Sequence, residues 1–447
     1  MSYYTSRGNA LGYGRGRSGS YSAQYNTRQT SATLPPDRDL KAGLRPQPLR
    51  TLSKPQPATS AGRSIKPENV KYIGSYNWVE EEDPTIIVPG SPPIWQDRQL
   101  PYRVPFDTGI RMVDQNGYRM GDKSCLLPLF RAVEVVAEEN ADTSLDWSTI
   151  DIVTDRNGLR KLMRWLQHSD SGYGEPLKEF RIDLQLGGSK TVLMHRWEKR
   201  RREIATPPKS GCGINFERQT TSPAPRCQRS TGHHRIVQYE YGGLKMVVRF
   251  EVDACTAQPR PAASSPRTST APRITGSRTT TGAPNIDSLA DALAGLGVST
   301  STSNTSTSID TISVIRAGSQ VPQSTIVELV TRSKKYVDQF DWAEKYPQLL
   351  LSSTPHLFLG VHDRGTFERV KKHALGSAEM RHVETDLRMQ RAFGQLVAVL
   401  RSIQELVKEH GQRGRLSLVC QDGVLKVYER TSDAGCLTED ELARFRS

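Results

Sequence analysis

A chain of 447 residues has room for two or three domains, but 35 Gly, 27 Pro and a hydrophobic content of 36% exclude folding throughout, so one large domain is the better reading. The formal charge of +13 is uneven: residues 1–65 hold ten Lys or Arg against two Asp, residues 258–308 hold four Arg against two Asp, and the remainder is close to +3. The high pI therefore reports basic tails, and net charge alone is no argument that the folded part binds nucleic acid.

Residues 1–65 interleave Tyr3, Tyr4, Tyr13 and Tyr21 with Arg7, Arg15, Arg17 and many Gly and Ser. Such a segment buries too little apolar surface to offset its chain entropy. It reads as a disordered basic tail, either a plain solvated one or one that touches RNA through charge and stacking. A single domain is expected over residues 66–447, ordered from near Val70. Thr85 to Val88 before Pro89-Gly90 reads as a short strand, and Leu126 to Val136 as a helix from its three-and-four spacing. Ile150 to Thr154 is a strand, followed by a helix over Gly158 to Gln167. Phe180 to Met194 alternates around Gly187-Gly188 and is read as a hairpin, as is Arg235 to Cys255 around Gly242-Gly243. The Ser, Thr and Pro of residues 258–308 form a low-complexity insertion within the domain.

Strand character returns at Thr325 to Val330 and Leu357 to Val361. Met389 to Val407 marks one long amphipathic helix. Leu416 to Cys420 and Val424 to Tyr428 close the chain as an edge hairpin around Asp422-Gly423. Strands and helices interspersed without regular βα repetition indicate an α+β fold, with mixed sheets and flanking helices.

Six cysteines, Cys125, Cys212, Cys227, Cys255, Cys420 and Cys436, form no CxxC pair and no spacing that closes a zinc tetrahedron, so reduced thiols are expected. His233-His234 is taken as an exposed hairpin turn, since no third ligand sits at a suitable spacing. No apolar run reaches the ~18 residues of a membrane span, and no charged-then-apolar leader opens the chain. A soluble protein of the nucleus or cytoplasm, with no membrane partner, is expected. DDxxD, Walker A and G-x-S-x-G signatures are absent.

The candidate chemistry lies in scattered acids. In Phe250-Glu251-Val252-Asp253, two carboxylates two residues apart on a strand share a face. Side by side they repel unless a proton or a cation such as Mg²⁺ or Mn²⁺ intervenes, although a solvent-facing Glu-x-Asp is also common. Glu328 is a lone carboxylate in the apolar strand Ile326 to Val330 and needs a metal, an Arg or exposure. Glu217 follows Gly213-Ile214-Asn215-Phe216 and could equally be an acid in the first turn of a helix. Arg156 just after the strand at 150–154 could equally be a salt-bridge partner.

In their order and flanks these segments resemble the DXO-type decapping nuclease family, the RNA 5′-end quality-control enzymes, with this chain as a divergent, fungal-like member. The likeness covers roughly residues 150–370. Ile152 to Leu162 is similar to the family's arginine-bearing segment, Gly213 to Glu217 to its G-Φ-x-Φ-E motif, Glu251-Val252-Asp253 to E-Φ-D, and Val327-Glu328-Leu329 to the start of V-E-L-K. Gln348 to Leu351 resembles its glutamine helix, and Phe358 to Gly365 the strand ending in G-F-R-D. The resemblance implies a PD-(D/E)XK nuclease-like core, with Glu217, Glu251, Asp253 and Glu328 as catalytic, metal-binding acids for Mg²⁺ or Mn²⁺. It also implies Arg156 and Gln348 on the substrate, RNA 5′ ends as the partner, and a 5′→3′ exoribonuclease as an associated protein.

The activity implied is metal-dependent RNA decapping or pyrophosphohydrolysis, with 5′→3′ exonuclease action. The chain departs from the family where Val330 replaces a lysine, for which Arg332 is the nearest substitute on the same face. Asp155 replaces an aromatic beside the arginine. The alternative reading is therefore a catalytically impaired relative that binds RNA or protein.

Overall fold

Alternating apolar residues and glycine-bearing turns build most of the strands, and the long-range pairing of those strands sets the architecture. The computed structural model describes residues 34–56, 65–121, 124–168, 177–207, 210–257, 312–432 and 437–446. An eleven-stranded mixed sheet runs, in spatial order, through Arg50–Leu52, Val424–Glu429, Leu416–Gln421, Phe180–Gly187, Thr191–Trp197, Ile152–Asp155, Leu244–Val252, Ser230–Tyr241, Glu68–Val79, Thr85–Gly90 and Ser313–Gly318. A seven-stranded sheet is ordered Thr221–Ser222, Ile94–Trp95, Ala254–Cys255, Ile326–Ser333, His356–Asp363, Thr366–Ala374 and Tyr102–Arg103. Both mix parallel and antiparallel pairs: Leu244–Val252 runs parallel to Ile152–Asp155, and Ile326–Ser333 parallel to His356–Asp363. The fold is α+β, as the segment order indicated.

Helices cover the large sheet. Leu387–His410 starts where the Asp386 carboxylate accepts the Met389 N–H at 2.8 Å and ends at Gly411 with φ +66°, a backbone conformation that favours glycine. Its apolar stripe, including Phe393, Leu396, Leu400 and Ile403, packs with helix Arg156–Gln167 into one core cluster with the sheet. Each such side chain contributes about 1.5–3 kcal/mol by leaving water. Helix Leu127–Glu139 packs in a second cluster with Tyr76, Trp78 and Ile236.

Three sequence expectations change. The chain packs well before Val70: Leu40 is buried against Val419 and Tyr428, and Arg50–Leu52 pairs with Val424–Glu429. A few ladder bonds and the Arg38 guanidinium 4.5 Å from the Trp197 ring centre hold this arm without a periodic apolar pattern. The closing hairpin is consequently interior, flanked by Arg50–Leu52 and Phe180–Gly187. His233 and His234 lie within strand Ser230–Tyr241 and are 1% and 5% exposed, not in a turn. The insertion at 258–308 and residues 1–33 lie outside the described residues. The five described cysteines are free thiols, all buried, and no described helix is long and apolar enough to cross a membrane.

Candidate functional site

The acids meet where the chain leaves the large sheet for the smaller one. Leu244–Val252 belongs to the first and Ala254–Cys255 to the second, so Asp253 stands at the crossover. Ala254 is in register with Val327, which brings the Leu329 N–H to donate to Asp253 Oδ2 at 2.8 Å. Glu251, two residues back, falls on the same side of the extended chain, and its charge raises the Asp253 pKa.

Glu328 projects from strand Ile326–Ser333 and is 6% exposed. Arg156 Nη1 lies 3.3 Å from its Oε2, Lys345 Nζ donates to Oε1 at 3.5 Å, and the Gln348 amide makes a short hydrogen bond to Oε1. Arg156 is placed by being the first residue of the helix that follows strand Ile152–Asp155, and its guanidinium sits 5.8 Å from the Phe250 ring centre.

Glu217 comes from helix Gly213–Thr220, whose opening N–H groups have no local cap. Asp107 supplies one from another segment, accepting from Ile214 N at 3.1 Å and Asn215 N at 2.9 Å. Phe216 pins the helix by stacking on Phe367, with ring centres 4.6 Å apart. Gly360 allows this, because a Cβ there would come within 2.8 Å of the Phe216 ring. The next residue turns about 100° around the helix and carries the Glu217 carboxylate toward Asp253, Glu251 and Glu328.

The electrostatics divide the four acids. Burial and then the charges of Asp253, Glu251 and Glu328 hold Glu217 well above the usual carboxylate range. Burial and then Glu328 and Glu251 do the same to Asp253. Burial also pushes Glu251 up against the pull of Arg196 and Arg156, but one side of this residue is open to solvent, which limits the push. Glu328 goes the other way: burial is outweighed by Arg156 and Lys345, and its pKa falls.

Beside Glu251 and Arg156 lies a cavity of about 210 Å³, lined among others by Arg160, Arg196, His234 and Arg249. Arg249 is locked by Asp155, with Nε to Oδ1 at 2.7 Å and Nη2 to Oδ2 at 3.0 Å. His234 stacks on Tyr76 with ring centres 5.0 Å apart, and its Nε2 is 3.1 Å from Asn116 Nδ2.

Of the residues chosen from sequence, the structure thus gathers Glu217, Glu251, Asp253, Glu328, Arg156 and Gln348. Arg332 is not gathered: it is exposed, and its Nε donates to the Tyr336 carbonyl at 3.3 Å. Val330 packs against an apolar cluster of Val337, Leu349, Leu357, Leu359 and Val361. Sequence reasoning missed Lys345, Arg196 and Arg249. Lys345 and Gln348 are three apart on helix Trp342–Leu351, so helical spacing put them on one face and could have identified the lysine. No comparable local signal marks Arg196 or Arg249.

Carboxylate oxygens are the hard donors that Mg²⁺ or Mn²⁺ takes. Among the described residues, no three His, Cys, Asp or Glu side chains stand at metal-ligand spacing. The acids are in electrostatic reach but splayed, with Glu328 turned to Gln348 and Arg156. By donor type, though not by spacing, the set suits a divalent cation: it would relieve the repulsion, and no hydrogen bond or ion pair among the described residues ties the Glu217 or Glu251 carboxylate elsewhere.

Similar solved structures include Rai1 of Scheffersomyces stipitis in complex with (3′-NADP)⁺ and calcium, with a TM-score of 0.50 and 13% identity over 89% of this chain and 96% of that one. Rai1 of S. pombe gives 0.47 and 15% identity over 82% and 96%. Dxo1 of K. lactis in complex with manganese gives 0.45 and 10% over 84% and 94%. At such identities, the S. stipitis likeness shows a shared fold. No curated protein sequence matches the chain. A family model described as "Domain of unknown function (DUF8563)" matches residues 50–445. The chain therefore belongs to the DUF8563 family, built on a Rai1-like α+β fold.

Proposed function

We propose that this chain is a divalent-metal-dependent hydrolase of RNA 5′ ends, acting by decapping or pyrophosphohydrolysis and continuing as a 5′→3′ exoribonuclease. The reading is carried by one observation: Glu217, the Glu251–Asp253 pair and Glu328 come from three separate segments to one place beside Arg156 and a cavity lined by arginines. When bound, Mg²⁺ or Mn²⁺ would supply an activated water and neutralise charge on the phosphoryl oxygens; Glu217, Glu251, Asp253 and Glu328 would hold it. Arg156 and Arg196 orient a phosphate beside the acids. Lys345 offers an ammonium at Glu328, on the side that Val330 leaves apolar.

The test uses purified full-length protein with Mn²⁺ or Mg²⁺ and RNA bearing a triphosphate, monophosphate or capped 5′ end. Release of product that Glu251→Ala combined with Asp253→Ala abolishes supports the reading. If wild type and double variant are equally inert while RNA still binds, a second reading stands: a non-catalytic RNA-binding relative. That reading is favoured by Val330 packing into an apolar cluster where an ammonium is expected.

A further inference from the structure

Each of the four arginines lining the cavity beside Glu251 is already paired with a carboxylate: Arg156 with Glu328, Arg160 with Glu344, Arg196 with Glu198 and Arg249 with Asp155. Charge is therefore a poor guide to what the cavity takes. Three buried atoms of its lining are a better one: His234 Nδ1, Arg160 Nε and Gln115 Oε1 have no hydrogen-bond partner among the described residues. Leaving such atoms unpaired is costly, so a group inside the cavity is their natural partner.

Neighbouring hydrogen bonds fix what each atom offers. The Trp78 indole N–H can only donate, so Asn116 Oδ1, which accepts it at 2.9 Å, is the amide oxygen. Asn116 Nδ2 is then a donor, and His234 Nε2, 3.1 Å away, must accept. The imidazole proton consequently sits on Nδ1, an unused donor, and Arg160 Nε–H is a second. Gln115 Nε2 donates to the Thr231 hydroxyl oxygen at 2.6 Å and to the Thr231 carbonyl at 3.4 Å, which leaves Oε1 an unused acceptor. Two of the three groups stand next to the acids. His234 is directly opposite Glu251 in the strand pairing. A Cβ on Gly232 would lie 2.5 Å from Gln115 Oε1 and 3.4 Å from Glu251 Oε1, so glycine keeps the space between them open.

We propose that this cavity holds one pyrimidine base, read along its pairing edge. Uracil and cytosine each show two acceptors and one donor there, the complement of two donors and one acceptor; guanine shows the reverse, and adenine one of each. Asn157 also lines the cavity with an unpartnered amide oxygen, and a free amide can turn either end to the base. The volume of about 210 Å³ suits a single ring, since a cavity of about 150 Å³ takes benzene. The pocket needs no metal; that its base belongs to an RNA end held at the acids rests on the hydrolase reading.

The experiment is ¹⁵N-histidine NMR of the full chain without metal, with His234 assigned through His234→Gln, titrated with uridine, cytidine, 3-methyluridine and guanosine. Free protein is expected to show His234 protonated on Nδ1, and uridine to move that signal saturably. 3-Methyluridine, whose edge has lost its N–H, and guanosine should each bind at least tenfold more weakly. Cytidine matching uridine assigns the pocket to pyrimidines at large, and cytidine failing assigns it to uracil; the pocket stands in both cases. Gln115→Met should weaken uridine at least tenfold, and if this variant does not fold, the wild-type titrations decide alone. No hydrolysis is read, so a protein inert on RNA that still binds uridine loses the hydrolase reading and keeps the pocket. A proton on Nε2, an unmoved His234 signal, or guanosine or 3-methyluridine matching uridine would each overturn the proposal.

Discussion

Arg156 Nη1 lies 3.3 Å from Glu328 Oε2, and the two side chains are only 11% and 8% exposed. A helix on one sheet is thereby tied to a strand of another, and the anion most deeply sunk in the site stays charged because Arg156 and Lys345 outweigh its burial. Removing the anion strands two cations. Glu328→Ala is expected to lower unfolding free energy by about 3 kcal/mol in urea melts. Glu328→Gln, which keeps an acceptor for Arg156, should cost clearly less. On the hydrolase reading both lose about a hundredfold or more in rate, since either removes a carboxylate charge that would help hold the metal.

Arg249 and Asp155 form the support beneath the site. Both are buried and joined by two hydrogen bonds, and Arg249 also donates to the Tyr76 hydroxyl at 3.2 Å and the Cys125 carbonyl at 3.0 Å. Asp155→Ala leaves an unpaired buried guanidinium and is expected to cost about 3–5 kcal/mol. Asp155 directly precedes Arg156, so circular dichroism melts should show the loss before any effect on RNA is interpreted.

Restoring a lysine at position 330 should not restore lysine chemistry. Val330 packs against the cluster that holds Leu349, Leu357 and Leu359, so Val330→Lys pushes an ammonium into an apolar cluster and is expected to cost about 1–3 kcal/mol. RNA hydrolysis by this variant should be no faster than wild type. A gain in rate with unchanged stability would show that the strand face opens toward the acids.

Acid should loosen the junction of helices Arg156–Gln167 and Trp342–Leu351. Glu344 is bound by Arg160 and by Arg164, whose Nε donates to Oε2 at 2.8 Å. Burial works against its charge, but these arginines prevail and hold its pKa near 2, from an ordinary 4.5. A depressed carboxylate stabilises the fold above its unfolded pKa, and that stability is lost as pH falls from about 4.5 toward 2. With part of the carboxylate open to water, the loss should be about 2 kcal/mol. Unfolding curves across that range should flatten for Glu344→Gln.

Much of the secondary structure was legible because alternation and three-and-four spacing are local. Glycine pairs at 187–188 and 242–243 mark their hairpin turns, and the stripe over Met389 to Val407 marks its helix. The acids were legible too, since Glu328 interrupts an apolar strand and Glu251 and Asp253 share a side. What local pattern cannot carry is pairing across the chain. Arg50–Leu52 is a strand only because Val424–Glu429 offers an edge, and His233 is buried only because Asn77 Oδ1 waits 2.7 Å from its Nδ1. Arg332 shares a strand face with Glu328, yet the strand carries it past the site to solvent.

Metal-dependent hydrolysis here requires the four carboxylates to act as one cation site. Titrating Mn²⁺ into the full chain and following free Mn²⁺ by electron paramagnetic resonance tests this directly. Saturable binding by wild type, weakened at least tenfold in Glu217→Gln and again in Asp253→Asn, is the expected result. Equal Mn²⁺ uptake by wild type and both variants would contradict it.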